Sequence, residues 1–314
     1  MLRLTTQADR GAVAVVVAVL MVPLLGFAGL AIDVSSMWSQ KQRLQVAADA
    51  SALAIAQDCA RHACGMPDDT AASFTTANFG PGATARLASP VTEDTGSVTV
   101  TTSAVDSYTF ARVLGFSSSK IAASSTAIWG YPAGGRTILP LTFSVCEFLA
   151  QTGGGVPSET TIRTIYTTDK NGQNSPTGCT GPSGLTVPGG FGWVDSNAGD
   201  CGVNSVISTQ LSSDPGASGP KDCTSIFQAY QNKTVLLPIF DDSGGQGTNA
   251  WYRVYGYVAF RLTGYSFPAI GSWDNDGCSK CIRGYFTQYV DSADTFTYTT
   301  TAPDLGVEIV KLSA

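Results

Sequence analysis

The chain has 314 residues, of which 43% are hydrophobic and only 13% charged, which allows one large or two small cores and excludes general disorder. Eighteen Lys and Arg against twenty-four Asp and Glu leave a net charge of −6, which excludes the clustered cations of a nucleic-acid surface. His62 is the single histidine, so triads, Cys-His dyads and multi-histidine metal sites cannot form without it. The composition points away from an enzyme, and no catalytic, metal or cofactor residue is assigned.

Gly11 to Ile32 (GAVAVVVAVLMVPLLGFAGLAI) carries no charge and is bounded by Arg10 and Asp33. As a helix, this run spans roughly 33 Å, against about 30 Å of bilayer hydrocarbon. Pro23 bends such a helix rather than breaking it, because lipid offers the backbone no better hydrogen-bonding alternative. Gly29-Leu30-Ala31 offers small residues for signal cleavage, but the run is longer than the 7–15 residues usual for a signal's apolar region. Residues 1–10 therefore read as a tail and residues 11–32 as a retained, single-pass anchor. Flanking charge leaves the orientation nearly tied, Arg3 and Arg10 against Lys41 and Arg43. All eight cysteines follow residue 58. They suit an oxidising outer compartment, which places the amino terminus in the cytoplasm and the C-terminal domain outside the cell membrane.

From Val34 to about Ala60 there is no Gly or Pro, and helix formers dominate, so a helical extension is predicted over residues 33–62. Trp38 falls near the expected lipid–water boundary. Leu44, Ala47, Ala48, Ser51 and Ile55 recur at helical spacing as a narrow stripe of mostly small residues. The stripe admits a second helix, either from this chain's own globular part or from a partner.

These residues also carry a resemblance. Arg10-Gly11-Ala12-Val13, the run through Pro23-Leu24-Leu25-Gly26-Phe27-Ala28-Gly29-Leu30-Ala31-Ile32-Asp33, and then Gln42-Arg43-Leu44-Gln45-Val46-Ala47-Ala48-Asp49-Ala50-Ser51-Ala52-Leu53-Ala54 resemble the N-terminal region of TadE/TadG proteins. The resemblance covers roughly residues 10–60. It implies a non-catalytic, membrane-anchored component of a tight-adherence (Flp, type IV-like) pilus assembly system. It also implies partners among other pilus proteins, TadE-like and of the secretion platform. Prepilin-peptidase substrates carry a glutamate five residues after the cleavage glycine, and counting from Gly11 that position holds Val16. This favours the anchored, TadG-like branch over a true pilin. The adhesion-type metal motif of some TadG-like proteins is not completed by Asp33-Val34-Ser35-Ser36-Met37 or by Asp241-Asp242-Ser243-Gly244-Gly245.

Beyond the helix, residues 63–134 read as a small, pilin-like α+β region. It has a short element near Ala71–Phe79 and a strand from Ser97 to Val105. One or two helical turns run from Tyr108 to Leu114 and end at Gly115, and a second strand runs from Lys120 to Trp129. Tyr131-Pro132-Ala133-Gly134-Gly135 reads as a turn-rich joint. Residues 135–314 read as a β-rich, disulfide-stapled domain. Its strand candidates are Thr137–Val145, Thr234–Phe240, Trp251–Leu262, Tyr285–Val290 and Val307–Leu312. Residues 151–220 form a glycine-rich loop region that needs staples. The fold class is thus α+β.

The disulfide candidates are Cys59, Cys64, Cys146, Cys179, Cys201, Cys223, Cys278 and Cys281, which admit 105 complete pairings. Cys59–Cys64 is the best single guess. Cys278 and Cys281 either pair with each other or reach distant partners, and their CxxC follows a turn signal rather than opening a helix, so thiol chemistry is not expected. Asp274-Asn275-Asp276-Gly277 resembles part of a calcium loop without its remaining ligands, and a solvated turn is the simpler reading. Asp241 to Gly247 lacks the lysine and spacing of a phosphate-binding loop and reads as a hairpin loop. Asn232-Lys233-Thr234 is a glycosylation sequon. The aromatic series Trp251, Tyr252, Tyr255, Tyr257, Phe260 and Tyr265 supports the alternative function, a cell-surface module recognising glycan or protein. An extracytoplasmic hydrolase ranks below that.

Overall fold

The structure is a computed structural model describing residues 10–168, 178–196, 200–216, 218–288 and 295–313. The chain forms two compact units, one of the residues up to Ile128 together with Lys311 onward, the other of Trp129–Val310.

The first unit is built on α1 (Arg10–Ala60), one continuous helix of 51 residues with Pro23 inside it. The helix persists because no residue after Gly29 breaks it, and Ala, Gln, Leu and Arg favour it. The side chains of the apolar half are exposed almost throughout, whereas from Leu44 one stripe is fully buried. A second helix, α2 (Pro67–Asn78), starts with proline in its first turn, where the missing N–H costs nothing, and Asp68 and Asp69 there suit the helix dipole. Strands β1 (Ala83–Leu87), β2 (Ser97–Ser107) and the first part of β3 (Ser118–Thr137) pair as an antiparallel meander. Along β2 every second residue from Val98 to Asp106 is buried, the alternation expected of a strand with one covered face. Leu44 packs with Ala104, Ile121 and Ala123. Thr102 Oγ1 donates to the Leu44 carbonyl at 2.9 Å. Cys59–Cys64 ties off the end of α1.

The second unit contains, in chain order, β4 (Leu141–Ser144), α3 (Val145–Thr152), β5 (Arg163–Tyr166), β6 (Cys179–Thr180), β7 (Thr186–Val187), β8 (Phe191–Trp193), β9 (Val203–Val206) and β10 (Gln210–Ser212). There follow α4 (Thr224–Ala229), β11 (Thr234–Gly244), β12 (Trp251–Phe267), β13 (Gly271–Trp273), β14 (Cys281–Thr287), β15 (Thr297–Thr299) and β16 (Ile309–Ser313), whose end belongs to the first unit. The principal sheet has the order β5-β14-β12-β11-β4-β8, and β10 and β13 also pair with the long β12. Its core is aromatic. Phe143 lies 4.7 Å from Phe260 and 5.4 Å, edge on, from Phe286, centroid to centroid. A second cluster joins Phe191, Trp193, Phe227 and Phe267. Such edge-to-face pairs match ring quadrupoles as well as filling volume. The whole is α+β, a long apolar helix followed by β-rich, disulfide-bonded chain.

Three expectations are corrected. The stretch 131–135 is not a turn but the continuation of β3, which pairs with β9 and β15. The ladder slips by a residue opposite Pro132, which has no N–H to donate. Glycine is needed at 135 because Phe296 lies within 3 Å of where a Cβ would sit. The strand expected over Thr137–Val145 is shorter and turns at Ser144 into α3, whose first free amides Ser144 caps by accepting from the N–H of Cys146 at 3.1 Å. Residues 151–220 are not one loop, since β5 to β10 interrupt them. Of the candidate Tyr285–Val290, residues 289–290 lie outside the described residues.

Candidate functional site

Among the described residues, α1 contains the one helix long and apolar enough to cross a membrane. Val15, Leu20, Leu24, Phe27 and Ile32 all present exposed side chains among the described residues. Gly11 begins the apolar run and Ile32 ends it. Trp38, 66% exposed, stands six residues beyond that end.

The first side chain past the run is Asp33, and it is buried. It sits under the loop joining β2 to β3. Asp33 Oδ1 accepts the N–H of Thr109 at 2.9 Å, and Oδ2 accepts those of Phe110 at 3.0 Å and Ala111 at 2.7 Å. These amides open a short 3-10 turn, Ala111–Leu114, closed by Gly115 in the left-handed conformation. Desolvation on burial pushes the Asp33 pKa up, but the three backbone hydrogen bonds more than offset it, and the carboxyl stays below its ordinary range. One turn earlier, Gly29 lies against Phe110, and a Cβ there would come within 2.9 Å of that ring. Asp33 is thus a structural fastener, its carboxylate taken up by three backbone amides. The sequence marks Asp33 only as the end of the apolar run, and nothing local shows its partners.

The stripe Leu44, Ala47, Ala48, Ser51 and Ile55 is entirely buried within this chain. Ser51 Oγ donates to the Ala47 carbonyl at 2.7 Å and lies 3.3 Å from Thr75 Oγ1 on α2. The small side chains let α2 approach closely, so these positions are not open to a partner helix.

In the second unit, the acidic strings are accounted for by the fold. Asp241, buried within β11, pairs with Arg253 through two bonds, Nε to Oδ1 at 3.1 Å and Nη2 to Oδ2 at 3.0 Å. The bond to Asp241 raises the Arg253 pKa further, against the effect of burial. Asp274 and Asp276 both face Arg283, the latter at 3.1 Å. All eight cysteines are bonded: Cys59–Cys64, Cys146–Cys179, Cys201–Cys223 and Cys278–Cys281. No trio of His, Cys, Asp or Glu is placed to hold a metal among the described residues.

The aromatic series on β12 is mostly core. Tyr257, Phe260 and Tyr265 are buried, and burial pushes the Tyr257 phenol up to about 12, partly countered by its 2.9 Å bond with Ser205. Trp251 and Tyr255 remain half-buried. The sequence reasoning missed a cleft of about 360 Å³ lined by Phe191, Trp193, Asp214, Gly245 and Tyr252. The Trp193 Nε1 is buried without a hydrogen-bond partner among the described residues. Burial, assisted by the charge of Asp195, raises the pKa of Asp214. The cleft thus sets a half-buried carboxyl beside largely buried aromatic rings.

An apolar helix long enough to cross a membrane runs unbroken into α+β, disulfide-bonded chain. Residues 11–58, about one sixth of the chain, match the model of the Tad family, Flp pilus-assembly TadE/G-like proteins. The matched segment lies wholly within α1 and ties the chain to Flp pilus assembly. No curated protein and no solved structure matches the chain.

Proposed function

We propose that the chain is a single-pass membrane component of a tight-adherence (Flp) pilus assembly machine, with a structural or accessory rather than catalytic role. The observation that carries this reading is the coincidence of the Tad match, residues 11–58, with a continuous helix that is bare over its apolar half and packed over its polar half. The bare half, Gly11–Ile32, is the membrane span. The amino terminus faces the cytoplasm, and the disulfide-bonded second unit lies outside, where oxidation is sustained. Its partners are the bilayer, TadE-like proteins and the secretion platform.

The test is extraction and co-purification from the native host. The full chain should resist alkaline carbonate extraction, and its thiols should react with maleimide only after reduction. It should also co-purify in detergent with neighbouring pilus proteins, and fall in abundance when they are deleted. A freely soluble chain missing its leading residues would refute the anchor, and indifference to every pilus deletion would refute the assembly role.

The Trp193–Tyr252 cleft favours a second reading, a surface module that binds glycan. A glycan array probed with the detergent-solubilised chain and with Asp214→Asn, a change at a half-buried carboxyl of the cleft wall, decides it. Sugar-specific binding lost in the variant supports the second reading, and a blank array rejects it.

A further inference from the structure

We propose that the β2–β3 loop of the first unit is a second membrane contact, a hydrophobic tip that dips into the outer leaflet beside α1. The inference rests on the reading that Gly11–Ile32 crosses the bilayer.

The depth of the tip is fixed by what holds it. Asp33 binds the amides of Thr109, Phe110 and Ala111, and Phe110 lies on Gly29, one helical turn inside the apolar run. A rise of about 1.5 Å per residue sets Gly29 roughly 5 Å within the end of the span at Ile32. At this depth the loop presents apolar side chains to the surroundings: Val113 is 88% exposed, Leu114 and Phe116 64% each, and Phe110 45%. Together they continue the lipid-facing surface of α1 rather than forming an isolated patch on a water-facing domain. A cluster of this kind on a loop tip marks an interaction surface, and the neighbouring span identifies lipid as the occupant.

Much of the tip's backbone is hydrogen-bonded from within the protein, which lowers the cost of contact with lipid. Asp33 takes three N–H groups. The amide of Tyr108 donates to Ser117 O, Val113 to Phe110 O, Gly115 to Arg112 O and Phe116 to Ala111 O, at 3.0–3.1 Å. Charge agrees as well. From Ser107 to Lys120 there are two cations, Arg112 and Lys120, and no Asp or Glu, although the whole chain carries −6. Both cations are exposed, placed to meet headgroup phosphates while their stems lie against the acyl region.

The test uses the full chain reconstituted in phosphatidylethanolamine–phosphatidylglycerol vesicles, with p-benzoylphenylalanine placed singly at Leu20, Val113 or Leu185. Lipid adducts are read by mass spectrometry after irradiation. Adducts are expected at 20 and 113 and not at 185, an exposed position in the second unit. A Leu114→Asp/Phe116→Asp pair, both at exposed positions, should cut the adduct at 113 at least fivefold and leave that at 20 unchanged. Adducts at 20 with none at 113, or cross-links from 113 to protein alone, would overturn the tip contact and leave the anchor standing. No adduct at either position would overturn the anchor and the tip together.

Discussion

Asp33 Oδ2 accepts the N–H of Ala111 at 2.7 Å across 78 positions of sequence. The carboxylate and the loop solve each other's problem: an acid at the mouth of an apolar span gains donors, and the open end of a 3-10 turn gains acceptors. Asp33→Ala leaves three amides without their acceptor. Hydrogen exchange on the reconstituted chain should show lost protection at Thr109, Phe110 and Ala111, with β1 and α2 unchanged. Because the folded pKa is lowered, the fastening is complete above the ordinary value of 3.8 and is lost only as pH falls through the folded value. Protection at these amides should therefore be flat from pH 5 to 8, and a loss within that window would contradict the assignment.

Gly29 and Gly26 offer a paired comparison on one helix. A Cβ at Gly29 would meet the Phe110 ring at 2.9 Å, whereas one at Gly26 would find nothing within 4 Å. Gly29→Leu should displace the loop and reproduce the exchange pattern of Asp33→Ala. Gly26→Leu should be silent there, while adding apolar surface to the span. Equal effects from both would mean that the loop does not pack on α1 as described.

How far the sequence discloses this molecule follows from the range of each interaction. The long helix was legible because propensity and the absence of Gly and Pro act locally, and so was the 3-10 turn ending at Gly115. The stripe from Leu44 to Ile55 shows helical spacing in the sequence, but what covers it, the β2–β3 face at Leu44 and α2 around Ser51, does not. Ser144-Val145-Cys146-Glu147 spells a helix cap, a local signal passed over because the preceding residues read as strand. The role of Asp33 and the Cys146–Cys179 bond could not be read at all, since both depend on contacts far apart in sequence. Pro132 misled for a physical reason: a slip in the β3–β15 ladder tolerates a residue that ordinarily ends a strand.

The disulfides should differ in worth by the chain they close. Cys146–Cys179 spans 33 residues, and Cys278–Cys281 spans three. Loop-closure entropy gives about 3–4 kcal/mol for the first and about 2 kcal/mol or less for the second. Replacing each pair by alanine and measuring guanidinium unfolding of the detergent-solubilised chain should reproduce that order. The reverse order would mean that the region from β4 to β7 is held chiefly by packing.

Glu147 gives the second unit a pH dependence of opposite sign to that of Asp33. It is buried in the first turn of α3, and its Oε1 accepts the N–H of Gly190 at 2.7 Å. Burial raises its pKa above 4.5, opposed by that hydrogen bond and by the charge of Arg163. The folded carboxyl therefore holds its proton more tightly than the unfolded one. Its contribution to stability is full below the unfolded value and declines as pH rises through the folded value, then levels. Glu147→Gln keeps an oxygen for Gly190 and removes the buried charge. The variant should unfold at a higher denaturant midpoint than the parent at pH 7 and at nearly the same midpoint at pH 4, with a flatter profile between. A parallel profile, displaced equally at every pH, would show that Glu147 does not titrate in this range and that its ionised form is already fully compensated by Gly190 and Arg163.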